Sequence, residues 1–521
     1  MNKGLIKKGE YYDSVSLMIV SKELKTIQGV IDSSVVMGTA ENRAILKSAD
    51  LYLAEFETAG ETDLLIAVKA KEASDADAAL KKVDGIFKSL RSKTDKGGTF
   101  EPKSLKSGIK KFPDANLVLI SVAGKYAAAE ARAALKNNLH VMIFSNNVSL
   151  EDEIELKKYA LEKELLVMGP DCGTAIINGI PLAFANAVNS GHIGIVAASG
   201  TGLQEVSSII SNNGAGISEA IGTGSRDVKK DVGGIMFCQA LEALEKDKNT
   251  QTIVLVSKPP HSEVLSKISE IIKRMKKKVV ALFLGADPKM VKESGAFFAS
   301  TLEEAALLAV NINMGLDLST SGLKQEKRRE ERDRQLSEIA EQEAKKKNKD
   351  QKYLRGLFSG GTFCTEAQII FKETLGKVYS NVPLTEDLRL SDSFKSIENT
   401  TIDLGEDEFT RGRPHPMIDF SLRNRRIIEE ARDPETAVIL LDVVLGYGAH
   451  LSPSSELVPI IKKAKEISAN ISFICSVTGT EKDPQKRSKV IEELEKAGFI
   501  VAESNAAACI LAGKTILKNR R

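Results

Sequence analysis

The sequence predicts a multidomain α/β protein. It divides into a small N-terminal α+β domain (residues 1–98), a Rossmann-like domain (112–190) and two flavodoxin-like domains (191–316 and 353–521), the last two separated by a charged helical linker (317–352). Three observations carry this. Short apolar runs alternate with helix-forming stretches from residue 115 onward, the order of right-handed strand–helix–strand crossovers in a parallel sheet. The arrangement after residue 353 repeats that after residue 191, and an internal repeat marks two similar domains. A chain of 521 residues is also too long for one core, since domains run to roughly 100–200 residues.

In chain order, YYDSVSLMIV and DLLIAVKA read as strands of the first domain, residues 73–92 as a helix, and KTDKGGTFEPKS as a linker rich in Gly, Lys and Pro. An assembly or docking module suits this domain better than a catalytic one. In the second domain NLVLISV is a continuous apolar strand, as burial on both faces requires. The Ala-rich helix AAAEARAALKNN, the strand HVMIFS, a helix over 150–163 and the strand LLVMGP follow it. The third domain runs IGIVAAS, a helix from Gly202, ISEAIG, a helix over 235–246, TIVLVS, a further helix, VVALFLG and a closing helix from Leu302. Residues 324–352 are almost entirely charged or polar, with good helix formers and charges of both signs. They read as a solvated helix rather than a nucleic-acid arm.

The last domain is recognised by its rhythm. Ser199-Gly200 precedes Ile209-Ile210 by ten positions, and Ser359-Gly360 precedes Ile369-Ile370 by the same ten. SGAFFASTLEEAALLAV likewise matches AGFIVAESNAAACILAG.

Composition excludes several function classes. The formal net charge is +2 and aromatic residues make up 5%, so there is neither a basic field for nucleic acid nor an interleaving of basic and aromatic residues. MNKGLIKKGEYYDS lacks the apolar core of a signal peptide, and no run reaches the ~18 apolar residues of a spanning helix. The expectation is a cytoplasmic protein with neither membrane nor nucleic-acid partners. Five cysteines and five histidines lie scattered, with no C-x-x-C or H-E-x-x-H spacing, so no metal site is predicted.

Two motifs carry chemistry. IGIVAASGTGLQEVSSII is a buried strand, a Gly-rich turn and an amphipathic helix. Gly200 and Gly202 allow close backbone approach, Ser199 and Thr201 add hydroxyls, and the free N–H groups of the first helical turn favour phosphate or carboxylate. RGLFSGGTFCTEAQII repeats the design with Ser359, Gly360, Gly361 and Thr362. Either turn alone is also explained as a tight strand-to-helix connection with an N-cap; two in matching places of repeated domains point to anion binding. Arg226 in IGTGSRDV suits a planar bidentate partner, or else a surface ion pair with Asp227. Lys258 ends a strand on the edge where α/β sheets bind ligands. Cys364, just inside the second helix, is either a thiol with a dipole-lowered pKa or a buried small hydrophobe. Arg411, Arg413 and His415 form a compact cationic loop.

These motifs resemble a known family. GPDCGTAIINGIPLAFANAVNSGHIGIVAASGTGLQEV is similar to the α subunit of succinyl-CoA ligase, which has a GPNCPG-type turn and then an SRSGT strand-to-helix turn. GPDCGTAI, SGTGLQEV, AIGTGSRDV, FSGGTFCTEAQ and GRPHPMID resemble more closely the FdrA branch of that acyl-CoA synthetase superfamily, over essentially the whole chain. The resemblance implies that 112–190 is a CoA-binding-type domain and that 191–316 and 353–521 are two succinyl-CoA-ligase domains. The turns at 199–202 and 359–362 would then be the two helix starts that, in the ligase, face a phosphorylated histidine.

The chain also departs from the ligase. LFLGADPKMVKESGAFFAS, matching the phosphohistidine loop, contains no histidine; His261 in KPPHSEV, one strand earlier, is the candidate substitute. No ATP-grasp module is found, and AGKTILK has Ala508 where a phosphate-binding loop has its first Gly. The Gly-rich first turn of a CoA site is missing, and Asp171 stands where the ligase turn has Asn. What the resemblance implies is therefore a subunit taking an acyl phosphate and a carboxylate substrate. Its FdrA form is oxamate carbamoyltransferase of purine and allantoin degradation, which links carbamoyl phosphate plus oxamate with phosphate plus oxalurate. Companion subunits or self-association are expected and no cofactor is assigned. One alternative is an acyl-CoA synthetase subunit using ATP and CoA; another is a non-catalytic scaffold.

Overall fold

A computed structural model describes every residue except 11, 13, 40–41, 44–45, 48, 95–101, 103, 317, 411–412 and 520–521. The chain divides into two compact units. The first comprises Met1–Ala115, Ser121–Ala127 and Glu406–His415; the second comprises Asn116–Ile120, Ala128–Gly405 and Pro416–Arg521.

In the first unit β1 (Asn2–Lys7), β2 (Val30–Met37) and β3 (Leu64–Ala70) form an antiparallel sheet in the order β1-β3-β2. The central strand is apolar on both faces because both are covered. Leu64, Ile66 and Val68 share a core with Leu17, Val20 and Leu24 of the helix Ser14–Lys25 and with Val83 and Phe87 of the helix Ala73–Thr94. Leu65 and Ala67 face Phe56 on the other side. From Ser14 on, the segment YYDSVSLMIV is therefore helix and not strand. Its β-branched residues favour extension locally, but Leu17, Val20 and Leu24 recur at helical spacing, and burial of that face decides the outcome.

The second unit opens with a parallel sheet of β4 (Leu117–Ile120), β5 (His140–Ile143) and β6 (Val167–Met168). The hairpin of β7 (Thr174–Ile177) and β8 (Ile180–Ala183) follows, and it joins the next sheet rather than its own. That next sheet contains β9 (Ser190–Ala197), β10 (Ile217–Gly222), β11 (Thr252–Ser257), β12 (Lys278–Phe283) and β13 (Phe297–Phe298), in the order β13-β12-β11-β9-β10-β7-β8. The last sheet contains β14 (Tyr353–Phe358), β15 (Tyr379–Ser380), β16 (Thr400–Asp403), β17 (Thr436–Val444), β18 (Ser472–Thr478) and β19 (Phe499–Ala502), in the order β15-β16-β14-β17-β18-β19. Counting parallel strands within each half, the first sheet reads 2-1-3-4-5, the flavodoxin-like order, and the second reads the same once its two-residue edge strand β15 is left out. In both, the strand order reverses between the first and third strands, and the Gly-rich turns leave the carboxyl ends of those first strands, β9 and β14.

Four helices fill the space the two sheets share: Gly200–Asn212, Leu302–Asn313, Gly361–Thr374 and Asn505–Asn519. Leu203, Val206 and Ile210 belong to one continuous core with Ala305, Ala309, Phe363, Phe371, Ala508 and Ile516. The linker helix Leu318–Ala344 is less solvated than its composition implies. Leu336 and Ala340 are buried in the same core, and Asp333 pairs with Lys514 of the last helix at 2.7 Å. Leu336 and Ala340 fall one turn apart on a single face of the helix.

That seating can be tested. Ala340→Glu, which places a carboxylate in the core, should destabilise the fold by about 3 kcal/mol or more. Glu338→Ala, on the exposed side, should leave the urea midpoint unchanged.

Candidate functional site

The site forms where the two Gly-rich turns touch. Ser199 caps the helix Gly200–Asn212, its Oγ accepting the Gly202 N–H at 2.9 Å. The helix Gly361–Thr374 begins at Gly360, which offers no side-chain cap. The two starts interlock reciprocally. A Cβ on Gly360 would stand 2.9 Å from Thr201 Cγ2, and one on Gly202 3.2 Å from Thr362 Cγ2. The hydroxyls of Ser199 and Thr362 share a short hydrogen bond across the seam. These glycines are needed for close approach and not for left-handed backbone, because none of Gly200, Gly202, Gly360 and Gly361 has a positive φ.

The two turns differ electrostatically. At the first, only the Gly202 amide is taken up by the Ser199 cap, and Ser199 and Gly200 are half-exposed. At the second, Ser359 donates both its N–H (2.7 Å) and its hydroxyl (2.6 Å) to Asp442, which Arg423 holds at 3.2 Å. Asp403 lies against Gly361, so closely that any side chain there would collide with its carboxylate. The second helix start therefore already faces a protein carboxylate.

The other sequence candidates are spread more widely. Lys258 is exposed just beyond β11, the neighbour of β9; Val256 pairs with Ala197, so Lys258 leaves its strand beside the Ser199 turn. Arg226 contacts Glu153 through Nε at 2.8 Å and donates to the Val148 carbonyl at 2.8 Å. Its ion pair is thus not with Asp227, which instead binds the fully buried Lys157 at 2.8 Å and the Phe237 amide at 2.7 Å. Lys157 also holds Glu153 at 2.7 Å. This buried network ties the helix Leu150–Glu162 to the loop after β10. His261 caps the helix Ser262–Arg274, its Nδ1 accepting the Glu263 N–H at 3.4 Å. Burial pushes the Cys364 thiol up to about 12, with the Asp403 charge adding to the rise; desolvation overrides the helix dipole, and Cys364 is a core residue. Arg413 and His415 belong to the first unit, and Arg411 lies outside the described residues.

Sequence reasoning passes over Glu205 and Glu366. Glu205 accepts the Asn505 N–H at 3.0 Å, at the start of the closing helix of the second half, and also the Thr478 hydroxyl. Glu366 accepts the Leu302 N–H at 2.8 Å, at the start of the closing helix of the first half, and the Asn505 side-chain amide at 2.7 Å. Each site helix thus caps the last helix of the opposite repeat. The signal was present but hidden. Aligning Ser199 with Ser359 sets Glu205 against Thr365, whereas aligning the helix starts, Gly200-Thr201 with Gly361-Thr362, brings the two glutamates into register. Burial raises both carboxyls, Glu366 to about 7.

Comparison with known proteins agrees with this architecture. Residues 357–515 match the family described as CoA-ligase, 188–285 the CoA binding domain, and 1–103 the AllF heavy metal-associated domain. The CoA binding match lies on β9–β12, not on 112–190. The chain is 43% identical over 522 residues to YahF of Escherichia coli K12, a protein described as uncharacterized, covering 99% of both. It is 28% identical over 185 residues to the α subunit of the ADP-forming succinate–CoA ligase of Methanothermobacter thermautotrophicus, 35% of this chain and 61% of that one. The chain belongs to the FdrA/succinyl-CoA ligase-like superfamily. A looser likeness links this FdrA-type chain to PH0766 of Pyrococcus horikoshii, at 15% identity and a TM-score of 0.33, over 82% of this chain and 88% of that one. Among the described residues no helix is long and apolar enough to cross a membrane, and no group of three or more His, Cys, Asp or Glu is placed to hold a metal ion.

Two outcomes follow. Gly202→Ala should cost about 1–3 kcal/mol, because its Cβ would stand 2.6 Å from Ser199 Oγ and 3.0 Å from Val256; Gly200→Ala, whose nearest neighbour is Thr174 Oγ1 at 3.3 Å, should melt close to the parent. The second concerns pH. Glu366 titrates near 7 in the fold against 4.5 when free, so the folded state takes up its proton first. The resulting stability is full below about 4.5 and lost as pH rises through 7. The urea midpoint should be higher at pH 6 than at pH 8, and Glu366→Gln should shrink that difference.

Proposed function

We propose that this chain is the acyl-phosphate-handling subunit of a transferase built on the succinyl-CoA ligase plan, and that its acyl phosphate is carbamoyl phosphate. The observation that supports this is the contact of two Gly-rich helix starts at the switch points of two flavodoxin-ordered sheets. Such starts favour phosphate through free amides and dipole. The differing second turn makes the site a place for one phosphate. The amides of Gly200 and Thr201 and the hydroxyls at the seam would hold it, with Lys258 beside it. Asp403 would face the acyl group.

In the reaction the oxamate nitrogen bonds to the carbamoyl carbon, the carbon–oxygen bond to phosphate breaks, and phosphate leaves with the bonding electrons. The proton lost by the nitrogen passes to Asp403. Charge building up on the leaving phosphate meets preorganised donors, and removing one such donor typically costs on the order of 10²–10³ in rate. Nothing in this sequence of events needs a phosphohistidine, which accords with the lack of histidine between residues 278 and 300 and with the capping role of His261.

A second reading, an acyl-CoA synthetase subunit using CoA and ATP, is favoured by the CoA binding and CoA-ligase matches at 188–285 and 357–515. The two separate in one assay. With its companion subunits the protein should release phosphate from carbamoyl phosphate in the presence of oxamate, without CoA or nucleotide. Gly200→Val should reduce this rate by about 10² or more while the melting curve holds. Turnover only with ATP, CoA and a short-chain acid, or acid-labile phosphate on the chain that disappears in His261→Ala, would establish the synthetase reading instead. No turnover in either mixture would leave a scaffold.

A further inference from the structure

The N-terminal domain matches a family described as heavy metal-associated, yet its residues do not suit such a metal. Soft and borderline ions are held by thiolate, thioether and imidazole. Residues 1–103 contain neither cysteine nor histidine. Three methionines remain, and they are dispersed. Met1 lies by the Lys69 end of β3, its amino group donating to the Ala70 carbonyl at 2.6 Å; Met18 is on the helix Ser14–Lys25; Met37 is buried opposite Leu64, at the other end of the sheet.

At that second end a carboxylate gathers the loops. Leu64, the first residue of β3, pairs with Lys7 on one side and Met37 on the other, so the loops after β1, after β2 and before β3 all meet beside Asp63. Asp63 Oδ1 accepts the Gly9 N–H at 2.9 Å, Oδ2 accepts the Gly60 N–H at 2.8 Å, and its carbonyl accepts the Gly38 N–H at 2.7 Å. One residue therefore anchors three loops. The two glycine amides hold its carboxyl below the usual carboxylate range. Further along the first loop, Tyr12 stacks on Phe87 with ring centroids 4.0 Å apart. Gly38 has no room for a side chain, because a Cβ would run into the Gly60 carbonyl, so the loops pack against each other as well as against Asp63.

We infer that this domain is a metal-independent member of its family, in which the Asp63 carboxylate rather than a metal ion ties together the loops at one end of the sheet. A carboxylate that accepts two backbone N–H groups makes charge-assisted bonds. Such an anchor is part of the chain and requires no loading step.

Hydrogen–deuterium exchange on the full-length chain tests this. Exchange in the segments around Gly9, Gly38 and Gly60 should be the same in EDTA, in Zn²⁺, and in Cu⁺ under reductant. Asp63→Asn should speed exchange at Gly9 and Gly60 together, by roughly ten-fold, while Asp77→Asn, at an exposed ion pair with Lys3, should not. Slower exchange of these segments on adding metal, or Gly9 and Gly60 amides unchanged in Asp63→Asn, would overturn the inference. The metal arm needs only the parent protein, so it decides the matter even if the variant domain unfolds.

Discussion

The structure depends on two glycines that each make room for a threonine of the other repeat. Thr201 sits over Gly360 and Thr362 beside Gly202, so the two helix starts approach until side-chain methyls meet backbone. A side chain at either glycine would separate the halves by the width of that contact. Once the starts are fixed, the helices behind them must run side by side, and the apolar faces of all four central helices close into one core. The flavodoxin order then brings the two switch points together rather than to opposite ends of the molecule.

Polar groups inside this core give the interlock its register. A packed apolar layer tolerates sliding, but a buried carboxylate that must find its N–H partner does not. Glu205 and Glu366 each reach the first amide of the other repeat's closing helix, and a shift of one turn would leave both unpaired. The same reasoning explains the buried Lys157 network, which ties the helix Leu150–Glu162 to the loop after β10. The two repeats are not equivalent at the surface, however. Asp442 and Asp403 supply negative charge at the second start, while at the first the Ser199 cap takes up the Gly202 amide and no carboxylate is drawn in. The duplicated fold is thus electrostatically one-sided, with the carboxylates gathered at the second repeat's helix start.

Much of the fold was legible because local and tertiary preferences agree in it. The parallel strands at the centres of the two larger sheets read as apolar runs because both faces are buried, whereas the equally apolar β4 leaves Leu119 exposed, and the helices between strands carry clear amphipathic faces. The two turns were legible for the same reason, since glycines between a buried strand and a helix mark a backbone that turns sharply or lies close to another group. Where the reading failed, local and tertiary terms conflicted. Residues 14–25 are rich in β-branched side chains yet helical, because one face is buried against β3. The linker helix is mostly charged or polar, yet Leu336 and Ala340 seat it in the core. Cys364 shows burial outweighing a helix dipole, and Arg226 shows a guanidinium drawn to a neighbouring helix that no sequence spacing reveals. The cross-capping glutamates were hidden by an alignment on serines, one of which caps a helix while the other binds an aspartate.

The most direct measurement of the central claim is a crystal structure of the chain grown with inorganic phosphate or its vanadate analogue. The account predicts one anion per chain at the interlock, held by the amides of Gly200 and Thr201 and within reach of the Thr362 hydroxyl, and missing from crystals of Gly200→Val. An anion bound only elsewhere on the chain, or an interlock that stays empty at saturating phosphate, would contradict it.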